Sequence, residues 1–244
     1  MSKVHELWIT RLFNEHLAGV AAPVVTAFGH HPSPEGPWTD WMVCELIVFL
    51  FMIIFFALVR RSLSVDRPGK VQHTLEVIYE FLYAQAEESA PHVGHKYLPF
   101  FGTLFFFIMV MNLIGIIPGF DSPTMFPEVP AGLAICTFFF YNAVGLGTNT
   151  RNYIRGFIGP MLLMAPLMIC IEILSHLARP LSLTIRLFAN MFAGEQVYLT
   201  FIHLTYVIIP VIFISLHFFV GLLQAYIFTL LAMIYVGQAT THEH

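Results

Sequence analysis

Five long apolar segments dominate the pattern of hydrophobic and polar positions along the chain. A helix needs about 20 mainly apolar residues to cross a bilayer, and only helices and closed barrels satisfy their backbone there. The predicted spans are residues 42–59, 98–117, 131–147, 157–195 and 206–236. No internal repeat and no separate soluble domain interrupts them. The pattern therefore predicts one all-α membrane domain over residues 1–244, with five transmembrane helices.

The stretch over residues 71–90 has a different pattern. Apolar residues recur at helical spacing on one face and glutamates take the other faces (Val71, Leu75, Ile78 and Leu82 against Glu76, Glu80 and Glu87). This pattern is typical of an amphipathic helix that lies on the membrane or on a partner. Residues 1–37 build no continuous hydrophobic region, so we expect an outer N-terminal segment and not a cleaved signal peptide.

Lysine and arginine in the loops predict the orientation. The turns after the first span carry Arg60, Arg61, Arg67, Lys70 and Lys96, and the turn after the third carries Arg151 and Arg155. Segments 118–130 and 196–209 contain neither residue type. Because cytoplasmic loops are enriched in Lys and Arg, we expect the N-terminus outside, the C-terminus in the cytoplasm and the 71–90 helix on the cytoplasmic side.

Composition agrees with a membrane protein. The chain is 57% hydrophobic and 11% charged, with a mean hydropathy of +0.76, whereas soluble domains carry about 25% charged residues. The net charge of −4 and the lack of a basic block argue against nucleic-acid binding. No phosphate-binding glycine loop and no zinc-ligand spacing occurs, so we expect no catalytic nucleotide site, cofactor or metal in this chain.

The fourth span is unusually long. Residues 166–195, as one continuous helix, would measure about 45 Å at about 1.5 Å per residue, against a hydrocarbon core of about 30 Å. Such a helix must tilt steeply or break. Pro180 is the candidate break because it cannot donate to the carbonyl of His176. We expect a steeply inclined helix with a local irregularity at Pro180, paired with the fifth span as an antiparallel hairpin.

Polar residues on these two spans share one seam. Glu172, Arg179 and Arg186 are seven apart on the fourth span, and His217 and Gln224 are seven apart on the fifth. Placing Arg186 level with Gln224 puts the hairpin turn at residue 205. Placing Glu195 level with His217 puts it at 206, so one register satisfies both pairs. The predicted seam has Glu195 and His217 near the outer surface, Asn190 deeper, Arg186 and Gln224 at mid-depth, and Glu172, Ser175 and His176 toward the cytoplasm.

Arg186 is the most informative residue of the seam. An arginine at the centre of a membrane helix costs roughly 2.5–3.5 kcal/mol and cannot lose its proton. A structural role needs a buried anion or an escape to the surface, and the nearest acid on its face, Glu172, is four turns away. We therefore favour a mobile anion that visits Arg186. Purely structural alternatives stay open for the other polar residues of the seam. Glu172 could form an ion pair with Arg179, or Arg179 could extend to the lipid headgroups. His217 could be a hydrogen-bonded core histidine, and Gln224 could serve only in helix packing.

At this point the chain resembles a known family. PLSLTIRLFANMFAGE (180–195) closely resembles the fourth-span signature of subunit a of F-type ATP synthases, and LLQAYIFTLLAMIYV (222–236) resembles the last span. MNLIGIIPG (111–119) and PGKVQ (68–72) are similar to further family segments. The resemblance implies a stator subunit in the bacterial plasma (inner) membrane, multi-pass, with the c-subunit ring, peripheral-stalk subunit b and the rest of the F0F1 complex as partners.

The resemblance also implies roles for individual residues. Arg186 matches the family's essential arginine, which faces the carboxylate of the rotor. The positions that match the outer proton inlet are Asn190, Glu195, His217 and Gln224, and those that match the inner outlet are Glu172 and Ser182. Gly115 stands where some members carry an acid, and Asp121 is a candidate to replace that acid. The implied function is proton transfer through two offset half-channels, coupled to ATP synthesis.

Two rival functions are weighed beside this one. A membrane haem or quinone protein would use His176 and His217 as ligands, although the hairpin register puts them about seven helix turns out of level. A stand-alone ion antiporter would use the same seam, but such transporters usually contain internal repeats. The residues leave open whether protons or sodium ions are carried.

Overall fold

A computed structural model describes residues 7–27, 36–65, 67–91, 93–117, 120–158, 165–204 and 208–240. Within these ranges there is no β-strand, and seven α-helices carry the fold. They are α1 (Trp8–Ala27), α2 (Asp40–Ser62), α3 (Lys70–Ser89), α4 (Leu98–Ile114), α5 (Glu128–Ile158), α6 (Ala165–Leu204) and α7 (Ile208–Thr240). Short 3₁₀ turns lie at Gly94–Tyr97 and Pro123–Met125.

Five helices of the described part are long and apolar enough to cross a membrane. They are α2, α4, α5, α6 and α7, so the predicted all-α membrane fold is confirmed. The helix bounds differ most at α5, which continues to Ile158 and includes Phe157, the predicted start of the fourth span. Hydropathy marks where a helix leaves the apolar layer, but the polar residues that follow contain no proline, so the helix continues. The hairpin turn expected at residue 205 or 206 lies outside the described residues, as do residues 118 and 119 after the second predicted span.

The core lies where α4, α5, α6 and α7 meet. Phe101 and Ile108 of α4, Leu187 of α6 and Phe228 of α7 are fully or almost fully buried in one apolar cluster. Lipid chains are as apolar as these side chains, so close packing supplies the association of the helices. Many apolar side chains on the outer faces remain exposed, as expected for lipid contact.

Helix α3 is the predicted amphipathic helix. Leu82 and Ala86 on its apolar face are buried, while Glu76 and Glu80 are exposed. Tyr226 of α7 donates its hydroxyl proton to the side-chain oxygen of Gln85, at 3.0 Å. The apolar face of α3 therefore lies against the bundle.

Helix α6 runs through Pro180 without interruption, so the candidate break is absent and the span is one continuous helix. A proline removes one backbone hydrogen bond, but the turn that follows is held by its surroundings. Leu183 and Leu187 are buried, and the hydroxyl of Thr184 donates to the carbonyl of Pro180 at 2.8 Å. At about 1.5 Å per residue, this 40-residue helix is about 60 Å long. It must therefore be strongly inclined in a layer about 30 Å thick.

Helix α1 was not predicted from the sequence. It is attached to the start of α2 through Asn14, whose amide group exchanges two hydrogen bonds with the backbone of Trp38, at 2.9 and 3.1 Å. Gly36 has φ +135°, and a Cβ atom there would overlap the side chain of Asn14. Two polar bonds and a glycine create no hydrophobic periodicity, so pattern analysis gives no signal for this contact.

A first prediction concerns the contact between α7 and the end of α3. A Cβ atom at Gly237 would overlap the carbonyl oxygen of Ser89. Gly237→Ala is therefore expected to destabilise the protein by about 1–3 kcal/mol through overpacking, measured as a lower unfolding temperature in detergent. Gly102→Ala is the control because its Cβ would meet nothing within 4 Å. Equal unfolding temperatures for the two variants would contradict the prediction.

Candidate functional site

The polar seam lies between α6 and α7, and two contacts define its register. The side-chain amide of Asn190 donates to the oxygen of Gln224 at 2.7 Å. One turn further toward the C-terminal end of α6, the ring of His217 lies against Gly194, where an added Cβ would be 2.5 Å from Nδ1. Gln224 therefore meets Asn190, one helical turn beyond Arg186, and His217 meets the residue beside Glu195. The observed register lies within about one turn of the expected one.

Two titratable side chains are buried where the seam approaches the C-terminal end of α6. Glu195 is 7% exposed and His217 is 6% exposed. Neither ring nitrogen of His217 has a hydrogen-bond partner, and no ion pair joins it to Glu195 among the described residues. Leaving buried polar atoms unpaired is costly. The described residues therefore supply no partner that would make His217 a satisfied core histidine.

The loop between α4 and α5 brings a second carboxylate to this region. Asp121 is half-buried, and burial raises the pKa of its carboxyl, with a further increase from the negative charge of Asp40. Its charge also acts on Glu195, because the 3₁₀ turn that follows Asp121 packs against α6. An acid at position 115 would not fit, since a Cβ on Gly115 would be 2.9 Å from the Cβ of Ser122.

A buried hydrogen-bond network fixes that loop. Asn112 of α4 donates to the carbonyl of Gly221 at 2.8 Å and accepts from the hydroxyl of Thr124 at 2.7 Å. Ser122 bonds the Thr124 hydroxyl and donates to the carbonyl of Met111. Asn112 and Thr124 are fully buried. The loop, α4 and α7 are thus held together next to Asp121 by satisfied polar groups.

Arg186 is partly exposed on α6, at the edge of the α6–α7 seam. In the described ranges its guanidinium forms no ion pair and no hydrogen bond. The exposed side chains on its face are small: Ala178, Ser182, Ala189 and Ala193. A purely structural role for Arg186 would need an ion pair with an acid of the same chain. The described residues contain no such pair.

The N-terminal part of α6 decides between the interpretations of Glu172 that were left open. Glu172 pairs with His176, with Oε1 and Nε2 at 3.3 Å, and not with Arg179 as one alternative had it. Arg179 instead lies over the rings of Tyr141 and Tyr235, with its guanidinium carbon 5.7 and 5.3 Å from their centroids. Such cation–π contacts stabilise a buried cation by about 0.5–2 kcal/mol.

The structure does not bring the two candidate haem ligands together. His217 contacts Gly194, which lies 18 residues beyond His176 on α6, or about 27 Å along the helix. His176 also bonds protein groups through both ring nitrogens, Glu172 on one side and Tyr141 on the other. These two histidines therefore do not form a haem ligand pair.

The fold and the seam together define a class of protein. The chain is a multi-pass α-helical membrane protein whose two longest helices enclose acid, amide and imidazole groups and carry an arginine without an anion of its own chain among the described residues.

Comparison with known proteins gives the family. The family model described as ATP synthase A chain matches residues 42–237. ATP synthase subunit a of Solibacter usitatus is 54% identical over 96% of this chain and all of its own length. The same subunit of Koribacter versatilis is 46% identical over 98% and 99% of the two chains, and that of Aquifex aeolicus is 36% identical over 72% and 86%. The chain belongs to the ATP synthase A chain family, the proton-translocating F0 subunits of F-type ATP synthases, and is thereby a member of the F0F1 complex.

A second prediction tests the register of the hairpin. The Asn190–Gln224 hydrogen bond should contribute a coupling free energy of about 0.5–1.5 kcal/mol in a double-mutant cycle of Asn190→Leu and Gln224→Leu. The measurement is the unfolding temperature of the wild type, both single variants and the double variant in detergent. Strictly additive effects would mean that the two side chains do not meet.

Proposed function

We propose that this chain transfers protons between two offset half-paths and a carboxylate carried by a rotating ring of c subunits. One observation carries the proposal: the guanidinium of Arg186 has no anion partner among the described residues of its own chain. A cation in the apolar layer of a membrane without an anion is unfavourable. A rotor carboxylate would supply the missing negative charge each time the rotation of the ring brings it past Arg186.

Arg186 would act on that carboxylate through electrostatics. A nearby positive charge favours the ionised form of a carboxyl and lowers its pKa, so each carboxylate would release its proton before it passes Arg186. The same fixed charge would repel a proton that attempts to cross directly between the half-paths. Rotation is then required for net transfer, which couples proton flow to ATP synthesis on other subunits, or ATP hydrolysis to pumping.

The outer half-path is assigned to Asp121, Glu195, His217, Asn190 and Gln224. The support is their arrangement in order of depth, with the carboxylates and the unpartnered imidazole at the outer end and the Asn190–Gln224 pair one turn from Arg186. The raised pKa of Asp121 suits such a path, because the group then exchanges protons at a pH closer to neutral. Glu172 and Ser182 are assigned to the inner half-path.

The exposed face of α6 is the proposed rotor surface. In the most apolar 18-residue stretch of α6, only 11% is buried inside the protein, whereas the corresponding stretches of the other four spans are 22–39% buried. Small exposed residues surround Arg186 on this face, and small residues allow helices to approach closely in membranes. A rotor helix could therefore bring its carboxylate within reach of the guanidinium.

The remaining assignments follow from the family and the loop charges. We assign the chain to the bacterial plasma membrane, with the N-terminus outside and the C-terminus in the cytoplasm. Subunit b of the peripheral stalk is the proposed stator partner, which would keep this chain fixed while the ring turns.

The third prediction concerns Arg186. An assembled complex with Arg186→Ala should lose ATP-driven acidification of inverted vesicles, because nothing then ionises the rotor carboxylate. Arg61→Ala, at the exposed end of α2, removes a cation outside the seam and should retain pumping. Acidification at the wild-type rate by the Arg186→Ala complex would end the proposal.

The fourth prediction concerns the outer half-path. Glu195→Gln and His217→Leu should each slow ATP-driven pumping several-fold without loss of assembly, because each removes a group that binds and releases protons near the outer surface. Glu128→Gln, which changes an exposed acid at the start of α5, is the matched control. If a variant pumps at the rate of this control, its residue does not belong to the path.

A further inference from the structure

A second group of titratable side chains lies on the inner part of the bundle, where α5, α6 and α7 meet. Nε2 of His176 lies 3.3 Å from Oε1 of Glu172, and Nδ1 lies 3.1 Å from the hydroxyl of Tyr141. His176 is thus bonded on both sides by groups that can exchange protons. We propose that the Glu172–His176 pair is the proton-exchanging unit of the inner half-path, with Tyr141 as the positioning residue. The proposal rests on the proposed function of the chain.

Exposure increases along the three residues toward the inner end of α6. Tyr141 is 1% exposed, the side chain of His176 is 8% exposed and that of Glu172 is 29% exposed. Glu172 also lies one turn nearer than His176 to the start of α6 at Ala165. The exposed carboxylate can therefore exchange protons with the aqueous side, and the buried imidazole can exchange them with groups deeper in the protein.

The hydrogen bonds define two states that differ by one proton. With Glu172 ionised and His176 neutral, Nε2–H donates to the carboxylate and Nδ1 accepts from the hydroxyl of Tyr141. When a proton binds to Nδ1, both ring nitrogens become donors, and Tyr141 accepts. The proton on Nε2 can then pass to the carboxylate, which releases it to the aqueous side. The imidazole is left with its proton on Nδ1, and the starting state returns when the ring exchanges this proton for one on Nε2, a tautomerisation that needs no other reactant.

Every described charged or titratable group around the pair fits this role. On α6, Arg179 is the nearby cation, and on α7 Tyr235 shares that cation with Tyr141 of α5. The ring of Tyr153, also on α5, lies 6.4 Å from that of His176 in an edge-on arrangement. Burial raises the pKa of Tyr153 to about 12, so this tyrosine stays neutral. The positive charge of Arg179 disfavours a second cation at His176 and so favours release of the proton toward Glu172.

A pH profile distinguishes this role from simple packing. A free imidazole titrates about two units above a free carboxyl, so His176 should keep the inner path loaded at a higher pH than Glu172 alone. In inverted vesicles with the complete complex, the initial rate of ATP-driven proton uptake is measured against external pH and divided by the rate of ATP hydrolysis. For His176→Gln we expect a several-fold loss at neutral and alkaline pH, with the alkaline limb shifted to lower pH.

Tyr141→Phe is the second variant, because it keeps the ring that packs under Arg179 and removes only the hydroxyl. We expect the alkaline limb of the pH profile to shift to lower pH, as in His176→Gln, but by a smaller amount. The control is Thr137→Val, one turn earlier on α5, where a buried hydroxyl bonds only the carbonyl of Leu133 in its own helix. This control should keep the wild-type profile.

Three results would overturn the proposal: an unchanged profile in His176→Gln, an equal loss at every pH in that variant, or a wild-type profile in Tyr141→Phe if His176→Gln does not assemble. Failure here differs from failure of the proposed function. The latter would be seen as continued pumping by Arg186→Ala, whatever the profile of the His176 variant.

Discussion

The constraint on which the structure depends is a permanent positive charge at the edge of an apolar helix pair. Arg186 can neither lose its proton nor find an acid of its own chain among the described residues. Isolated charges in membranes cost several kcal/mol, which is why we propose that the partner comes from another chain. The surroundings of Arg186 agree with this requirement: small side chains on the exposed face leave room for a second helix, and the seam behind it carries neutral amides.

The shape of the α6–α7 hairpin suits the proposed connection of this charge with both aqueous sides. A helix of about 60 Å lies at a steep angle in a layer of about 30 Å, which gives one continuous element polar contacts at both surfaces and at mid-depth. Gly194 allows the imidazole of His217 to lie against α6, and the Asn190–Gln224 hydrogen bond fixes the register nearer to Arg186. The Asn112 network holds the loop with Asp121 beside the same end.

Much of this architecture could be predicted from the sequence because hydrophobic runs, loop charges and seven-residue spacing are local signals. The five spans, the amphipathic α3 and the approximate register of the seam follow from them. The Glu172–Arg179 pair, one of the alternatives left open, does not form, because spacing on one helix gives no information on the groups that neighbouring helices provide. Tyr141 and Tyr235 of α5 and α7 attract Arg179, and His176 takes the carboxylate. The candidate break at Pro180 does not form, because buried Leu183 and Leu187 and the hydroxyl of Thr184 hold the turn that follows it. Helix α1 is attached through two hydrogen bonds of the Asn14 side chain, beside a glycine at position 36. These features leave no periodic signal in the sequence.

The most direct test of the central claim is an experimental structure of the assembled complex in lipid that resolves the guanidinium of Arg186. The account predicts that the nearest carboxylate, within an ion-pair distance of about 4 Å in at least one rotary state, belongs to a helix of another chain docked on the exposed face of α6. A guanidinium bound in every state by an acid of its own chain, with no helix docked beside it, would contradict the account.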